Sequence, residues 1–116
     1  MTGISSCTHA ASTSVIDNYD VSNCPSLTFY SFSNNEGILG ANNSTFSAND
    51  CSLTDVEVNG FLNELATICI STRGEVSPGT YINRVIDIGG SNAAPTGAGL
   101  AAKAALENIG ITVNSN

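Results

Sequence analysis

The part of the sequence that most restricts the fold is the stretch 81–113, where a strand pattern is followed by a glycine loop, a helix and a second strand pattern. Apolar side chains alternate through residues 81–88, so Ile82, Arg84, Ile86 and Ile88 share one face of a strand. We expect Ile86 and Ile88 to be its inward pair.

The junctions of this stretch carry ordinary turn and capping residues. Gly89-Gly90 permits a turn with positive φ, and Thr96, after a proline, is the expected N-cap of an alanine-rich helix. Gly110 is its expected C-cap, directly before the terminal strand 111–113. Two strands joined by a helical crossover normally lie parallel in one sheet. We therefore expect strands 81–88 and 111–113 to be neighbours covered by helix.

An earlier helix is predicted over residues 52–70. Thr54 and Glu57 have the spacing of a capping box, in which each side chain bonds the other residue's backbone amide. Apolar residues then recur at helical spacing on one face. They are Val58, Phe61, Leu62, Leu65 and Cys69. Residues 73–79, which include a Pro-Gly pair, are expected to form a loop.

Length and charge limit the class of protein. A chain of 116 residues fits one domain, and its three Lys and Arg against ten Asp and Glu give a net charge of −7. Such a chain lacks the clustered cations that bind nucleic acid, and an acidic membrane surface would repel it. No apolar run has the length of a membrane span or a secretion signal.

We divide the chain into a polar N-terminal arm, residues 1–26, and a single α/β domain, residues 27–116. The arm is rich in Ser, Thr and Asn and contains one apolar patch, Val15-Ile16, and the aromatic Tyr19. These three residues are the expected partner-binding positions. The domain is expected to begin with a strand at residues 27–32.

A short repeat lies at the start of this domain. Phe32-Ser-Asn-Asn35 and Phe46-Ser-Ala-Asn49 are each followed by another apolar residue. Leucine-rich repeats place apolar residues and Asn in that order, the Asn satisfying backbone groups where the chain turns. The alternative is two ordinary Asn-containing turns after short strands.

The four cysteines, Cys7, Cys24, Cys51 and Cys69, lack the close pairs of a zinc site. They allow three disulfide connectivities, and a bridge between Cys7 and Cys24 would tie down the arm. The other interpretation is buried free thiols. Cys69 illustrates it, since it lies on an apolar helix face.

No catalytic, cofactor or metal-ligating residues are expected. The loop Gly89–Gly99 has neither a dinucleotide-binding nor a phosphate-loop spacing, and no Lys follows it. Cys7 and His9 lie in the arm, which we do not expect to hold a nucleophile and base rigidly. Asp55 and Glu57 are explained by helix capping. We expect a chain that is not an enzyme.

The loop Gly89-Gly-Ser-Asn-Ala-Ala-Pro95, between its Ile-rich strand and its helix, resembles part of a C-terminal module found in tailed-bacteriophage virion proteins. The resemblance covers residues 44–113 and includes the helix pattern Val58 to Leu65. Its link from Ile70 to Thr80 is longer than in such modules, and the first 43 residues match no part of them.

This resemblance implies a degenerate leucine-rich-repeat-like α/β fold, with short strands and two helices, after an irregular N-terminal arm. It also implies a structural protein on the exterior of the virion, made in the host cytoplasm. A chain of this length favours a capsid decoration or cement protein that binds the major capsid protein or neighbouring decoration subunits, and it could form homo-oligomers. The alternative is a receptor- or glycan-binding module of a tail fibre or collar. In either case the cysteines could cross-link subunits.

Overall fold

The computed structural model describes residues 18–20, 22–23, 39–75 and 81–116, and of residues 18–20 only the backbone. Four strands and two α-helices make up this part of the chain. In order they are β1 (Asn18–Asp20), β2 (Thr45–Ser47), α1 (Asp55–Ala66), β3 (Arg84–Asp87), α2 (Gly97–Asn108) and β4 (Ile111–Asn114), with a π-helix (Thr67–Thr72) directly after α1. The predicted α/β class is confirmed.

The four strands form one parallel sheet in chain order. β3 and β4 are neighbours, with Ile86 opposite Val113. The parallel pairing predicted for these two strands is confirmed. β3 itself is shorter than the predicted strand, because residues 81–83 form bends that precede it.

The first helix begins where its capping box predicts. The Thr54 hydroxyl accepts from the Glu57 backbone N–H at 3.3 Å, and Glu57 Oε1 accepts from the Thr54 N–H at 3.0 Å. These bonds occupy amide groups that the start of a helix leaves without partners. All the apolar residues of the predicted stripe are buried. After Ala66 the helical turns widen to π geometry, which carries Cys69 into the core.

The second helix packs against the first through small residues. Thr96 is its N-cap, as predicted, but its hydroxyl makes no capping bond. It lies between helices instead, accepting from Asn59 Nδ2 at 2.9 Å, while Asn59 Oδ1 accepts from the Thr96 N–H at 2.9 Å. A Cβ at Gly99 would overlap the Asn59 side chain, so a glycine permits this approach.

The C-terminal end of α2 differs from prediction by one residue. Ile109 is the C-cap, and Gly110 follows it with φ +93°. Leu106 and Ile109 are buried as expected, whereas Leu100 is 52% exposed. Its position on the helix turns it away from the core.

The core lies between the helices and one face of the sheet. Its strand residues alternate with exposed or half-buried ones, as a sheet with one open face requires. The buried positions include Phe46, Ile86, Ile88, Ile111 and Val113. Arg84 shares the inward face of β3 and is 1% exposed.

We call the stretch of chain from one strand to the next a coil. Backbone geometry repeats at equivalent positions of successive coils. Asn43, Asn83 and Gly110 each stand two residues before register-paired positions of the strands, and all three have positive φ. Asn23, Asp50 and Gly90 also have positive φ, and each lies three residues after the last register-paired position of its strand. The coils from β1 to β2 and from β3 to β4 are equally long, and the middle one is longer.

Several predictions concern the N-terminal part of the chain. β1 lies within the predicted arm, residues 1–26, so the sheet extends into that segment. The predicted strand 27–32 and the repeat at 32–35 fall outside the described residues. Within the part of the chain that the structure describes, no helix has both the length and the apolar character needed to span a bilayer.

Asn92 joins the turns of adjacent coils. Its Oδ1 accepts from the N–H groups of Cys51 and Leu53 at 3.1 and 3.0 Å. Its Nδ2 donates to the carbonyls of Ala48 and Ile88 at 2.8 and 3.0 Å. The amide is buried, with a residue exposure of 4%. One side chain therefore satisfies four backbone groups that no water can reach.

Replacing Asn92 with Ala should destabilise the protein by about 3 kcal/mol or more, since each buried group left without a partner costs about 1–3 kcal/mol. Asn63→Ala, at an exposed position of α1, is the matched control and should change the free energy of unfolding by less than about 0.5 kcal/mol. Urea unfolding followed by circular dichroism measures both. Equal midpoints for the two variants would contradict the role assigned to Asn92.

Candidate functional site

Among the described residues, both helices pack on one face of the sheet and none packs on the other. We call this second face the open face; its side chains are Thr45, Ser47, Val85, Asp87, Thr112 and Asn114, all half-buried or exposed. Parallel sheets usually have both faces covered. The register aligns the open face in two rows, one along Thr45, Val85 and Thr112 and the other along Ser47, Asp87 and Asn114.

Asp87 carries the charge of the open face. Its Oδ2 accepts from Asn49 Nδ2 at 3.1 Å, and its Oδ1 accepts from the Gly89 N–H at 3.4 Å. Neither of the two ion pairs in the described residues involves it. The face therefore presents polar groups with one uncompensated negative charge, which disfavours an anionic partner.

The glycine loop after β3 is tied to neighbouring turns. Asp50 Oδ1 accepts from the Ser91 N–H at 2.9 Å, and a Cβ at Gly90 would overlap that carboxylate. Asn116 Nδ2 donates to the carbonyls of Gly90 and Asn92. The Ser91 N–H, which could otherwise bind an anion, thus donates to the carboxylate of Asp50 in the same chain. This part of the loop performs a structural role.

A charged cluster lies buried at the opposite end of the strands. Arg84 Nη1 donates to Glu75 Oε2 at 3.1 Å, and Arg73 Nε and Nη2 donate to the same oxygen at 3.1 and 2.9 Å. Glu75 Oε1 lies 2.7 Å from Arg84 Nη2 in an ion pair without hydrogen-bond geometry. Leu39 O accepts from both arginines. We call Arg73, Glu75 and Arg84 the ion cluster.

The ends of both helical segments supply further negative potential to the ion cluster. Arg84 Nη2 donates at 3.3 Å to the carbonyl of Ile109, the C-cap of α2. Arg73 is the C-cap of the π-helix, at the end of the first helical segment. Helix C-termini carry partial negative charge, so they add to the compensation that Glu75 provides for the two arginines. The Tyr81 ring adds a cation–π contact, its centroid 5.2 Å from Arg84 Cζ.

No pattern in the sequence predicted the ion cluster. The available signal was Arg84 itself, which alternates in phase with the inward Ile86 and Ile88 in a chain with only three Lys and Arg. An inward arginine requires a buried carboxylate, and Glu75 is the nearest preceding one in the sequence.

Two of the four cysteines lie in the described residues. Cys51 and Cys69 are free thiols and both are buried, so for them the structure shows the packed-thiol alternative. Burial is the main cause that raises the pKa of Cys69 to about 11; the Glu75 charge acts in the same direction, and the charges of Arg73 and Arg84 and the hydrogen bond from Arg73 oppose it. Cys7 and Cys24 lie outside the described residues.

Of the predicted partner-binding residues, only Tyr19 lies within the described part of the chain. Val15 and Ile16 lie outside the described residues. Tyr19 is in β1, in register with Phe46, and its side chain is not among those described.

A shallow groove of about 480 Å³ lies on the outer surface between α2 and the first helical segment, which is α1 with its π-helix. Its walls carry mainly small side chains: Asn63, Ala66, Thr67, Ile70, Ser71, Ala98, Ala101 and Ala102. Over the ranges described, no three His, Cys, Asp or Glu side chains converge on a point where a metal ion could bind. The candidate functional surface is therefore the open face.

Comparison with protein-family models, with curated proteins and with solved structures finds no match to this chain.

Removing the carboxylate of the ion cluster should be strongly destabilising. Glu75→Ala removes the carboxylate that pairs with the buried Arg84 and with the partly buried Arg73, so we expect a loss of about 3–5 kcal/mol. Glu107→Ala, which removes an exposed carboxylate of α2, should stay within about 0.5 kcal/mol of wild type. Chemical denaturation of the two variants side by side measures the difference. Similar stabilities would show that the cluster contributes little.

The buried thiol should make stability fall in alkali. Its pKa is raised from 9.0 to about 11 on folding, so between these pH values the unfolded state loses a proton that the folded state retains. Stability from this group is intact below pH 9 and should fall by up to about 3 kcal/mol by pH 11. Unfolding free energies across this window should decline more steeply for wild type than for Cys69→Ala. Parallel curves would contradict the assignment.

Proposed function

We propose that this chain is a structural protein of a tailed-phage virion, acting as a capsid decoration or cement protein that binds other virion subunits. The fold we propose for it is a degenerate leucine-rich-repeat-like module. Each coil places a short strand on one face and, in two coils, a helix on the other. The sequence resemblance of residues 44–113 supports the virion assignment.

One observation carries the proposal: four parallel strands wound in chain order present a sheet face that none of the described helices covers. Solenoid proteins use such extended faces to bind macromolecules, because side chains at fixed spacing project from a rigid ladder. The recurring positive-φ residues at both ends of the strands support a coiled, repeat-like architecture. A rigid array of side chains of this kind is sufficient for the chain to bind the surface of another protein.

The Asn residues of the turns add support for the repeat-like assignment. Asn83 Nδ2 donates to Asn43 Oδ1 at 2.9 Å, linking equivalent positions of successive coils. Asn92 performs a comparable function at the other end of the strands, where it satisfies backbone groups of two coils. Leucine-rich repeats likewise use Asn side chains where the chain turns.

The arm is the second part of the proposed contact. β1 belongs to residues 1–26, so the segment with Val15, Ile16 and Tyr19 is directly connected to the first strand of the sheet. We propose that the arm and the open face together engage the shell. Cys7 and Cys24 then remain the candidates for covalent cross-links between subunits, because the thiols of Cys51 and Cys69 are buried.

A second candidate is a receptor- or glycan-binding module of a tail fibre or collar. The open face favours it through hydroxyl, amide and carboxylate groups in register across adjacent strands, such as Ser47, Asp87 and Asn114. Uncharged sugars can hydrogen-bond to all three kinds of group. The two candidates differ in copy number and in target.

The test combines particle composition with a matched pair of variants. Quantitative mass spectrometry of purified particles should find hundreds of copies if the chain decorates a shell, and few if it belongs to a fibre or collar. Asn114→Lys places a long cation on the open face, whereas Asn108→Lys places the same cation on the exposed side of α2. Binding to particles that lack the protein should drop at least tenfold for the first variant alone.

Each outcome decides between the candidates. Low copy number together with host-cell binding that Asn114→Lys abolishes would favour the receptor- or glycan-binding module. Absence of the chain from particles would overturn both assignments. Equal binding of the two lysine variants would remove the open face from the interface.

A further inference from the structure

The two rows of the open face differ in chemistry. Every side chain of the first row carries a methyl group; these residues are Thr45, Val85 and Thr112. The second row is polar throughout and consists of Ser47, Asp87 and Asn114. In the register this second row continues to β1, where Asp20 is the partner of Ser47. Two of its four positions are therefore aspartates, and none is a Lys or Arg.

The chain places all of its Lys and Arg residues elsewhere. Arg73 and Arg84 belong to the ion cluster, and their side chains are 16% and 0% exposed. Lys103, the third and last of these cations, lies on α2 and donates to Ser115 Oγ at 3.0 Å. A partner that binds the open face therefore gains charge complementarity by bringing a cation of its own.

The carboxylate of Asp87 is held in place by two donors of the chain. Asn49 Nδ2 donates to its Oδ2 at 3.1 Å, and the Gly89 N–H donates to its Oδ1 at 3.4 Å. An ionised carboxylate has about four acceptor sites, so each oxygen can still accept from an incoming donor. A carboxylate that is already fixed loses little side-chain entropy when a partner binds. Asp87 is therefore pre-organised to receive a cationic group.

The spacing of the two rows suits a long basic side chain. Val85 and Asp87 are two residues apart in β3, so they share one face and lie about 6.6 Å from each other along the strand. Lys and Arg pack their methylene stems along apolar surface while the charged head stays in a polar environment. A basic side chain that lies along the strand direction can place its stem on Val85 and its head at Asp87.

We infer that the open face recognises a basic segment of a protein partner, through a Lys or Arg whose stem packs on Val85 and whose charged head pairs with Asp87. This inference rests on the proposed function, because it names the chemistry of the partner that the open face binds. Pairing of this kind weakens in salt, since the Debye length falls from about 10 Å at 0.1 M to about 3 Å at 1 M. Binding of an uncharged glycan would not depend on salt in this way.

Binding of the full chain to particles that lack it, measured at 0.1 M and 1 M NaCl, tests the inference. Wild type should bind at least tenfold more weakly at the higher salt. Asp87→Asn keeps the size of the side chain and an acceptor for Gly89, and it should bind at least tenfold more weakly than wild type at 0.1 M, with little further loss at 1 M. Glu107→Gln removes the same charge from the exposed side of α2 and should bind like wild type at both salt concentrations.

The outcomes separate this inference from the proposed function. Asp87→Asn that binds like wild type, or equal losses in the two variants, would overturn the inference and leave the virion role standing. Binding that salt leaves unchanged and a neutral sugar displaces would assign the open face to a glycan instead. Failure of wild type to bind at either salt concentration would overturn the proposed function and this inference with it. Circular dichroism confirms that the variants are folded.

Tetralysine is a direct probe that needs no particles. In a titration of the wild-type chain followed by amide chemical shifts, the largest changes should fall on Val85, Asp87 and their neighbours on the open face. Tetraserine at the same concentrations should cause no comparable changes. Largest changes at Asp55 and Glu57, which lie in the first turn of α1, would contradict recognition by the open face.

Discussion

A single buried amide determines how the coils of this protein fit together. Asn92 bonds to four backbone groups, two donors and two acceptors, in turns that belong to different coils. An apolar side chain would leave all four unsatisfied, and Asp would lose the two donated bonds. The loop that contains Asn92 is therefore bound to its own chain. The loop between β3 and α2 thus serves to link adjacent turns of the chain.

The ion cluster stabilises the middle coil, which is the longest. Glu75 precedes the link that leads to β3 and Arg84 follows it, so their ion pair joins the two ends of that link. The helix ends near both arginines add negative potential to that of Glu75 and so help to stabilise the cluster. Its polar contacts also fix the carbonyls of Leu39 and Ile109, which belong to different coils.

Local patterns predicted local structure well. The capping box of Thr54 and Glu57 and the apolar stripe after it gave the start and buried face of α1, and the alternation before Gly89 gave β3. Contacts between distant residues were not accessible in this way. The four bonds of Asn92 and the convergence of Arg73, Glu75 and Arg84 depend on coil lengths, which no periodicity in the sequence specifies. Arg84 was correctly placed on the face of Ile86, but its burial required a carboxylate whose position only the fold supplies.

Side chains alternate along each strand, and this alternation separates the residues that form the core from those on the open face. Val113 is buried while its neighbours Thr112 and Asn114 are exposed, and the same alternation holds for Ile86 between Val85 and Asp87. A change on the open face therefore alters the presented surface with little effect on the core. One strand of four residues thus contributes side chains both to the core and to the open face.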